Sequence, residues 1–287
     1  MKEIVVLSGK GGTGKTSIAA ALASVAESAV ICDSDVDAAD LHLLLHPVKK
    51  EEHAFSGGWV VQINTALCTK CRFCMDVCRY GAIRFNRNGQ IEINPFQCEG
   101  CRLCEKKCPA QAITSSRNDS NFWYVSDTRF GLMVHAKMSP GEDNSGKLVS
   151  QIRTRAKEIA KDNNLNYIIN DGPPGIGCAT ISSLTGSQTV LIVTEPSKSG
   201  LHDLERLVEL ISKFSIPAFA LINKYDINLE ISSEIEAFLV KNSIPLLDKL
   251  PFTQDIVKAM VEGKTITEFN RDSDIAGSIL KIWEKIK

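Results

Sequence analysis

The stretch Glu3-Ile4-Val5-Val6-Leu7-Ser8-Gly9-Lys10-Gly11-Gly12-Thr13-Gly14-Lys15-Thr16 decides the fold. An apolar run passes straight into a glycine loop of the form G-x-x-x-x-G-K-[ST], and an alanine-rich helix over 16–26 follows. That strand–loop–helix context gives the motif its meaning. The glycines let backbone N–H groups turn inward around phosphate oxygens, and the helix N-terminus adds partial positive charge. In this pattern Lys15 spans the β- and γ-phosphates, and the Thr16 hydroxyl ligates Mg²⁺.

Working outward, 29–32, 167–170, 190–193 and 218–222 are short apolar runs. Helical patterns occupy 38–45, 145–162, 201–214, 231–241 and 274–287. Strands apolar on both faces that alternate with amphipathic helices predict an α/β fold, a doubly wound, mostly parallel sheet covered on two sides. The rhythm breaks after His46-Pro47 and returns only near Ser116. The expected organisation is a discontinuous large domain, 1–58 and 117–287, with a small α+β domain inserted at 59–116.

Eight of the ten cysteines lie between Cys68 and Cys108. The runs Cys68-x-x-Cys71-Arg72-x-Cys74-x-x-x-Cys78 and Cys98-x-x-Cys101-Arg102-x-Cys104-x-x-x-Cys108 match at an offset of 30, and Ile63-Asn64/Ile93-Asn94 and Ala82-Ile83/Ala112-Ile113 extend the match. The reading is a duplicated half-domain with pseudo-twofold symmetry. Three closely spaced thiolates wrap one [4Fe-4S] cluster and the fourth cysteine reaches the other. One cluster is therefore expected on Cys68, Cys71, Cys74 and Cys108, the other on Cys78, Cys98, Cys101 and Cys104. Paired structural zinc sites are the competing reading, but zinc uses two C-x₂-C knuckles without a third cysteine at the same spacing.

The 287 residues carry a net charge of −1, and 44% are hydrophobic. No polybasic surface is evident, so nucleic acid and anionic membrane are not expected partners. No run of 18 apolar residues suggests a membrane span, and the N-terminus reads as a strand, not a signal peptide. Clustered cysteines in a chain expected to be cytoplasmic point to metal.

The insert resembles a bacterial two-cluster ferredoxin, including Pro109 after Cys108, but Arg79 stands where that family has proline after the first run. The positive charge of Arg79 is expected to favour the reduced state of the neighbouring cluster. The remainder resembles the superfamily of MinD, ParA and the nitrogenase iron protein, whose deviant phosphate loop places a lysine at the position of Lys10. The resemblance implies that Lys10 reaches the nucleotide across a dimer interface. It also implies that Asp35 orients the attacking water close to the Mg²⁺ shell, that Asp171 joins Thr16 at Mg²⁺, and that Gly172-Pro173-Pro174-Gly175 senses the γ-phosphate. Asp37 and Asp40 either touch Mg²⁺-bound water or cap the next helix. Asn223 is either an adenine contact or a turn former. The nucleotide set is then Gly9, Lys10, Gly11, Gly12, Thr13, Gly14, Lys15, Thr16 and Asn223, with Lys10, Lys15 and Asp35 catalytic. The segment 194–204 also looks like that family.

The resemblance implies an ATPase that binds ATP or ADP, Mg²⁺ and two [4Fe-4S] clusters and transfers electrons to a partner protein in a nucleotide-dependent way. It would act as a homodimer or as a heterodimer with a paralogue. Two alternatives are a cluster carrier or assembly scaffold, and a redox-sensing positioning ATPase. Cys32 and Cys178 are expected to be small buried hydrophobes, and His42 and His46 surface residues. The stripe Ile275, Ile279, Ile282, Trp283 and Ile286 is expected to pack on the chain's own core, not on a membrane.

Overall fold

A computed structural model describes residues 1–95, 97–118, 121–138 and 145–287. In chain order the elements are β1 (Lys2–Ser8), α1 (Lys15–Val25), β2 (Ala29–Asp33), α2 (Leu41–Leu45), β3 (Val48–Phe55), β4 (Trp59–Ile63), α3 (Phe73–Asp76), β5 (Ile83–Phe85), β6 (Ile91–Ile93) and α4 (Leu103–Lys107). Then come β7 (Ile113–Arg117), β8 (Asn121–Thr128), β9 (Gly131–Lys137), α5 (Ser145–Asp162), β10 (Tyr167–Pro174), α6 (Cys178–Leu184), β11 (Thr189–Thr194), α7 (Lys198–Ser212) and β12 (Ala218–Asn223). A 3₁₀ turn (Tyr225–Ile227), α8 (Leu229–Lys241), β13 (Leu246–Leu250), α9 (Gln254–Val261), α10 (Ile266–Phe269) and α11 (Asp274–Ile286) complete the chain.

The residues form two compact units. The larger comprises Met1–His53, Trp123–Lys137 and Ser145–Lys287, and the smaller is built on Ala54–Phe122 with Met138. A nine-stranded sheet has the order β13-β12-β11-β1-β10-β2-β9-β8-β3. Every pairing from β13 through β9 is parallel, which is the α/β architecture expected from the patterning. The central strands alternate between two faces with period two. Ile4, Val6, Ile169, Leu191 and Leu221 pack with Ile18 and Leu22 of α1 and Ile279, Ile282 and Trp283 of α11. Val5, Leu7, Val190, Ile192 and Ile222 meet Leu204, Leu207 and Ile211 of α7 and Ile235 and Leu239 of α8. The C-terminal stripe is thus core, as its spacing suggested.

A buried ion pair lies away from the loop between β1 and α1. Glu3 on β1 is fully buried and takes Arg153 Nε and Nη2 at 2.6 and 2.8 Å, with Lys157 at 3.0 Å. Arg153 also donates to the carbonyls of Ser182 and Thr185 at the end of α6. Such complete pairing offsets the cost of burying this carboxylate.

The helix expected at 38–45 is shorter, Leu41–Leu45. The strands β3, β8, β9 and β13 have no counterpart in the sequence reading. β3 is the sheet's edge, and of its sequence Val-Lys-Lys-Glu-Glu-His-Ala-Phe four residues are charged and only Phe55 is buried. Such charge protects an open edge from pairing with another chain and hides the strand from a hydrophobic pattern.

The smaller unit repeats itself in backbone as well as in sequence. β4 pairs antiparallel with β7 through Ile63↔Ile113, and β5 with β6 through Ile83↔Ile93. The N–H of Asn64 meets the carbonyl of Ala112, and that of Asn94 the carbonyl of Ala82, both at 2.7 Å. Left-handed residues recur at the same offset: Lys70 and Gly100 (φ 58° each), Arg72 and Arg102 (68° and 62°), Gly81 and Gln111 (62° and 48°).

Candidate functional site

The loop between β1 and α1 is held from outside. Gly14 has φ 88°, and a Cβ there would lie 2.4 Å from Asn223 Nδ2. That amide donates to the carbonyl of Thr13 at 2.8 Å. Asn223, the last residue of β12, therefore braces the loop, which the turn-or-base alternatives did not include. Its Oδ1 is buried with no partner, an acceptor still available. Gly9 answers a different constraint, because a Cβ there would lie 2.5 Å from the carbonyl carbon of Asp203 on α7.

Three acids surround the loop lysine. Lys15 Nζ lies 2.7 Å from Asp171 Oδ1 and 3.3 Å from Asp35 Oδ2. Burial alone would lower its pKa, but Asp171 and Asp35 more than offset that and raise it. Burial pushes the Asp35 carboxyl up to about 6 despite the pull of Lys15. Asp33, fully buried beside Asp171, is raised well above the ordinary carboxylate range, chiefly by desolvation. Its Oδ1 accepts from the N–H of Asp35 at 3.1 Å. Thr13 Oγ1, Asp33 Oδ2 and Asp171 Oδ2 are buried without a partner. Buried polar atoms seldom stay unpaired in a finished structure, so this donor and acceptor set suits a charged ligand and a cation.

Lys10 does not point into this cluster. It forms an ion pair with Glu195 at 2.8 Å and donates to Ser197 and Ser199 at 2.9 and 3.1 Å. Glu195 also holds Lys224 at 3.0 Å, which in turn reaches the Gly12 carbonyl at 3.0 Å. Burial would raise the Glu195 pKa, but the two lysines lower it on balance. The sequence reading missed Asp33, Glu195 and Lys224. Asp33 and Lys224 adjoin residues it did single out, and Glu195 lies in the 194–204 segment that had no mechanistic account.

A cavity of about 510 Å³ opens over the loop. Gly11 through Thr16, Asp35 and Asn223 form its polar end, while Leu43, Leu44, Pro251, Phe252 and Ile256 form an apolar end. Gly9, Lys10 and Asp171 are not in its lining. Asp40 lines it and stands at the N-cap of α2 without a side-chain capping bond, and Asp37 is exposed. Cys32 is buried, and its thiol is pushed up to about 12 by desolvation. Cys178 corrects the expectation of burial. It is the first residue of α6 after Gly177 and is exposed. His42 and His46 are exposed.

The cysteines sort into two small cavities. Cys68, Cys71, Cys74 and Cys108 line one with Ile63, Ile91 and Ile113; Cys78, Cys98, Cys101 and Cys104 line the other with Val61, Val77 and Ile83. Each cavity takes three cysteines from one repeat and one from the other. Burial raises the Cys74 thiol and pushes that of Cys104 up to about 11. Among the described residues no three Cys, His, Asp or Glu side chains converge on one ion-sized point. None of the helices described is long and apolar enough to cross a membrane.

Comparison with known proteins places this geometry. An uncharacterized protein of Methanocaldococcus jannaschii is 32% identical over 99% of this chain and 96% of its own length. An iron-sulfur cluster carrier protein of Rickettsia typhi is 31% identical over 42% of this chain, which spans 39% of that protein. The fold matches the septum site-determining protein MinD of Pyrococcus horikoshii, solved with Mg-ADP, at a TM-score of 0.59 and 18% identity, over 100% of this chain and 96% of that one. The family model "CobQ/CobB/MinD/ParA nucleotide binding domain" matches residues 4–266, and the chain belongs to that family.

Proposed function

We propose that the protein is an ATP-hydrolysing iron–sulfur protein that passes electrons through two [4Fe-4S] clusters to a partner protein under control of its nucleotide state. The single observation that carries this reading is the sorting of eight cysteines into two apolar-walled cavities of four, each completed by a cysteine from the opposite repeat. That is the ligand exchange of a two-cluster ferredoxin. The thiols line a wall and do not meet at a point, which suits a many-atom cluster better than one zinc ion. The clusters would supply one-electron redox chemistry. The chain's part is to hold them with Cys68, Cys71, Cys74 and Cys108, and with Cys78, Cys98, Cys101 and Cys104.

At the other site, the Gly11–Thr16 loop would cradle the phosphates. Lys15 would leave Asp35 and Asp171 for the β- and γ-phosphates, freeing both carboxylates. Asp171 and Thr16 would then hold Mg²⁺, and Asp35 would orient water. Such catalysis is positioning and electrostatics. Lys10 would exchange Glu195 for the nucleotide of a second subunit, a copy of this chain or a paralogue.

Electron paramagnetic resonance of anaerobically purified, dithionite-reduced protein tests the reading. Two interacting [4Fe-4S]⁺ signals that change on adding Mg-ATP are expected. Fewer than two clusters, or signals indifferent to nucleotide, would count against it. The Rickettsia likeness favours a second reading, a cluster carrier, and Cys71 and Cys101 are exposed enough for handover. ATP-dependent appearance of a cluster in an added apo-ferredoxin would mark that activity.

A further inference from the structure

We propose that the end of the smaller unit bearing Cys68, Cys71, Cys74 and Cys108 is the docking face for an acidic one-electron carrier protein, with Lys70, Arg72, Lys106 and Lys107 as its contacts. The inference rests on the cluster reading above and adds which end is used and by what chemistry. The repeat makes the comparison internal. Within two residues of a ligand cysteine, hence within about 7 Å of its Cα, the first end has Lys70, Arg72, Lys106 and Lys107 against one acid, Asp76. The second end has Arg79, Arg102 and Lys106 against Asp76, Glu99 and Glu105. Both ends hold four thiols, so neutralising a cluster's charge does not account for the difference.

The cations of the first end also carry no ion pairs. Lys70, Arg72, Lys106 and Lys107 are all exposed, and none has an ion-pair partner among the described residues; Arg72 lies over the Phe85 ring, at 5.3 Å. At the second end Arg102, the counterpart of Arg72, is spent internally. It pairs with Glu105 at 2.7 Å and lies over the Trp59 ring at 3.9 Å. Among the described residues, exposed apolar groups do not separate the ends: Leu67 and Phe73 flank the first, Tyr80 and Leu103 the second. An apolar centre with a charged rim is ordinary interface anatomy, and only the first end has a rim with a clear excess of positive charge, four cations against Asp76.

Lys70 adds an independent point. It holds a left-handed backbone (φ 58°) where the other repeat has Gly100. Gly100 is required sterically, since a Cβ there would lie 2.5 Å from the Trp59 carbonyl oxygen. Lys70 keeps a side chain at a backbone angle that disfavours one. Each encounter would move one electron, the carrier losing it and the smaller unit gaining it, or the reverse.

The test titrates the anaerobic holoprotein calorimetrically with a plant-type [2Fe-2S] ferredoxin, a strongly acidic carrier. Both proteins are kept oxidised, so no electron moves. Binding is expected to weaken about tenfold between low salt and about 0.3 M salt. The combined variant Lys70→Gln, Arg72→Gln, Lys107→Gln should weaken it about tenfold at low salt, and Arg79→Gln by no more than about twofold. Lys70→Gly separates charge from backbone: binding should weaken while the melting temperature holds or rises. Equal losses from Arg79→Gln and the triple variant, salt-indifferent binding, or equal affinity for basic cytochrome c would overturn the proposal. Spin quantitation on the same sample separates the failures. Two reducible clusters without such binding overturn the docking face alone, whereas missing clusters overturn the cluster reading and the docking face with it.

Discussion

The phosphate loop and the cysteine loops are both tight turns built on left-handed residues, yet they treat charge in opposite ways. Around Gly14, each of the three nearby lysines is already paired: Lys15 with Asp171 and Asp35, Lys10 and Lys224 with Glu195. The cations of that site are internally compensated, and it sits on a sheet with its own large core. In the smaller unit the apolar cluster is Val61, Cys74, Ile83, Ile91, Cys104 and Ile113, so two of its six members are ligands under the proposal above. On the proposed function, one unit would fold before its ligand arrives, and the other would depend on a guest to complete its interior. The contrast teaches that a ligand can be an addition to one part of a chain and a structural member of another.

The most direct way to break this contrast is to remove the iron. Hydrogen exchange across 59–117 should then approach that of an unfolded chain, while β1, β10 and β11 keep their protection. Retained protection in the iron-free smaller unit would show that its core closes unaided. Trp283→Ala perturbs the opposite partner. Trp283 packs in the core beside Ile279 and meets the Tyr167 ring edge-on at 4.9 Å. About 3–5 kcal/mol of the larger unit's stability should go, read by denaturant melts, with iron content unchanged.

Lys15→Ala should lower ATP affinity on the order of a hundredfold through lost charge-assisted bonds, measured by calorimetry. The clusters should stay assembled; loss of iron in this variant would mean that the units are not independent. The smallest effect concerns Asp35. Its carboxyl takes a proton more readily in the fold (pKa about 6) than at its ordinary value of 3.8. Its contribution to stability is therefore greatest below about pH 4 and is lost as pH rises through about 6. Asp35→Asn should raise the melting temperature by about 2–4 °C at pH 7.5 and hardly at all at pH 4, while hydrolysis falls. A melting gain independent of pH would sink this account of the buried carboxyl.

Much of the site is legible in the chain because its geometry is local. The loop from Gly9 to Thr16 carries its own strand and helix. The two cysteine runs announce their duplication through Ile63/Ile93 and Ala82/Ala112. Legibility fails where the pattern is not hydrophobic or where partners lie far apart in sequence. The edge strand β3 is half charged, and β8 and β9 follow the insert directly, with no helix between them to mark the rhythm. Cys178 departs from the expectation because a cysteine's burial depends on its place in the fold, here the exposed first residue of α6.

By itself the sequence determined the mostly parallel α/β sheet, the phosphate loop, the buried C-terminal stripe and the grouping of cysteines into two runs. All of these follow from residue type at short spacing. Only the tertiary structure decided that Asn223, more than two hundred residues away, braces Thr13. The same holds for the coupling of Lys10 and Lys224 through Glu195, and for the burial that drives Asp33 and Asp35 upward. Desolvation and ion pairing are set by what the fold brings alongside a group, and spacing along the chain does not carry that information.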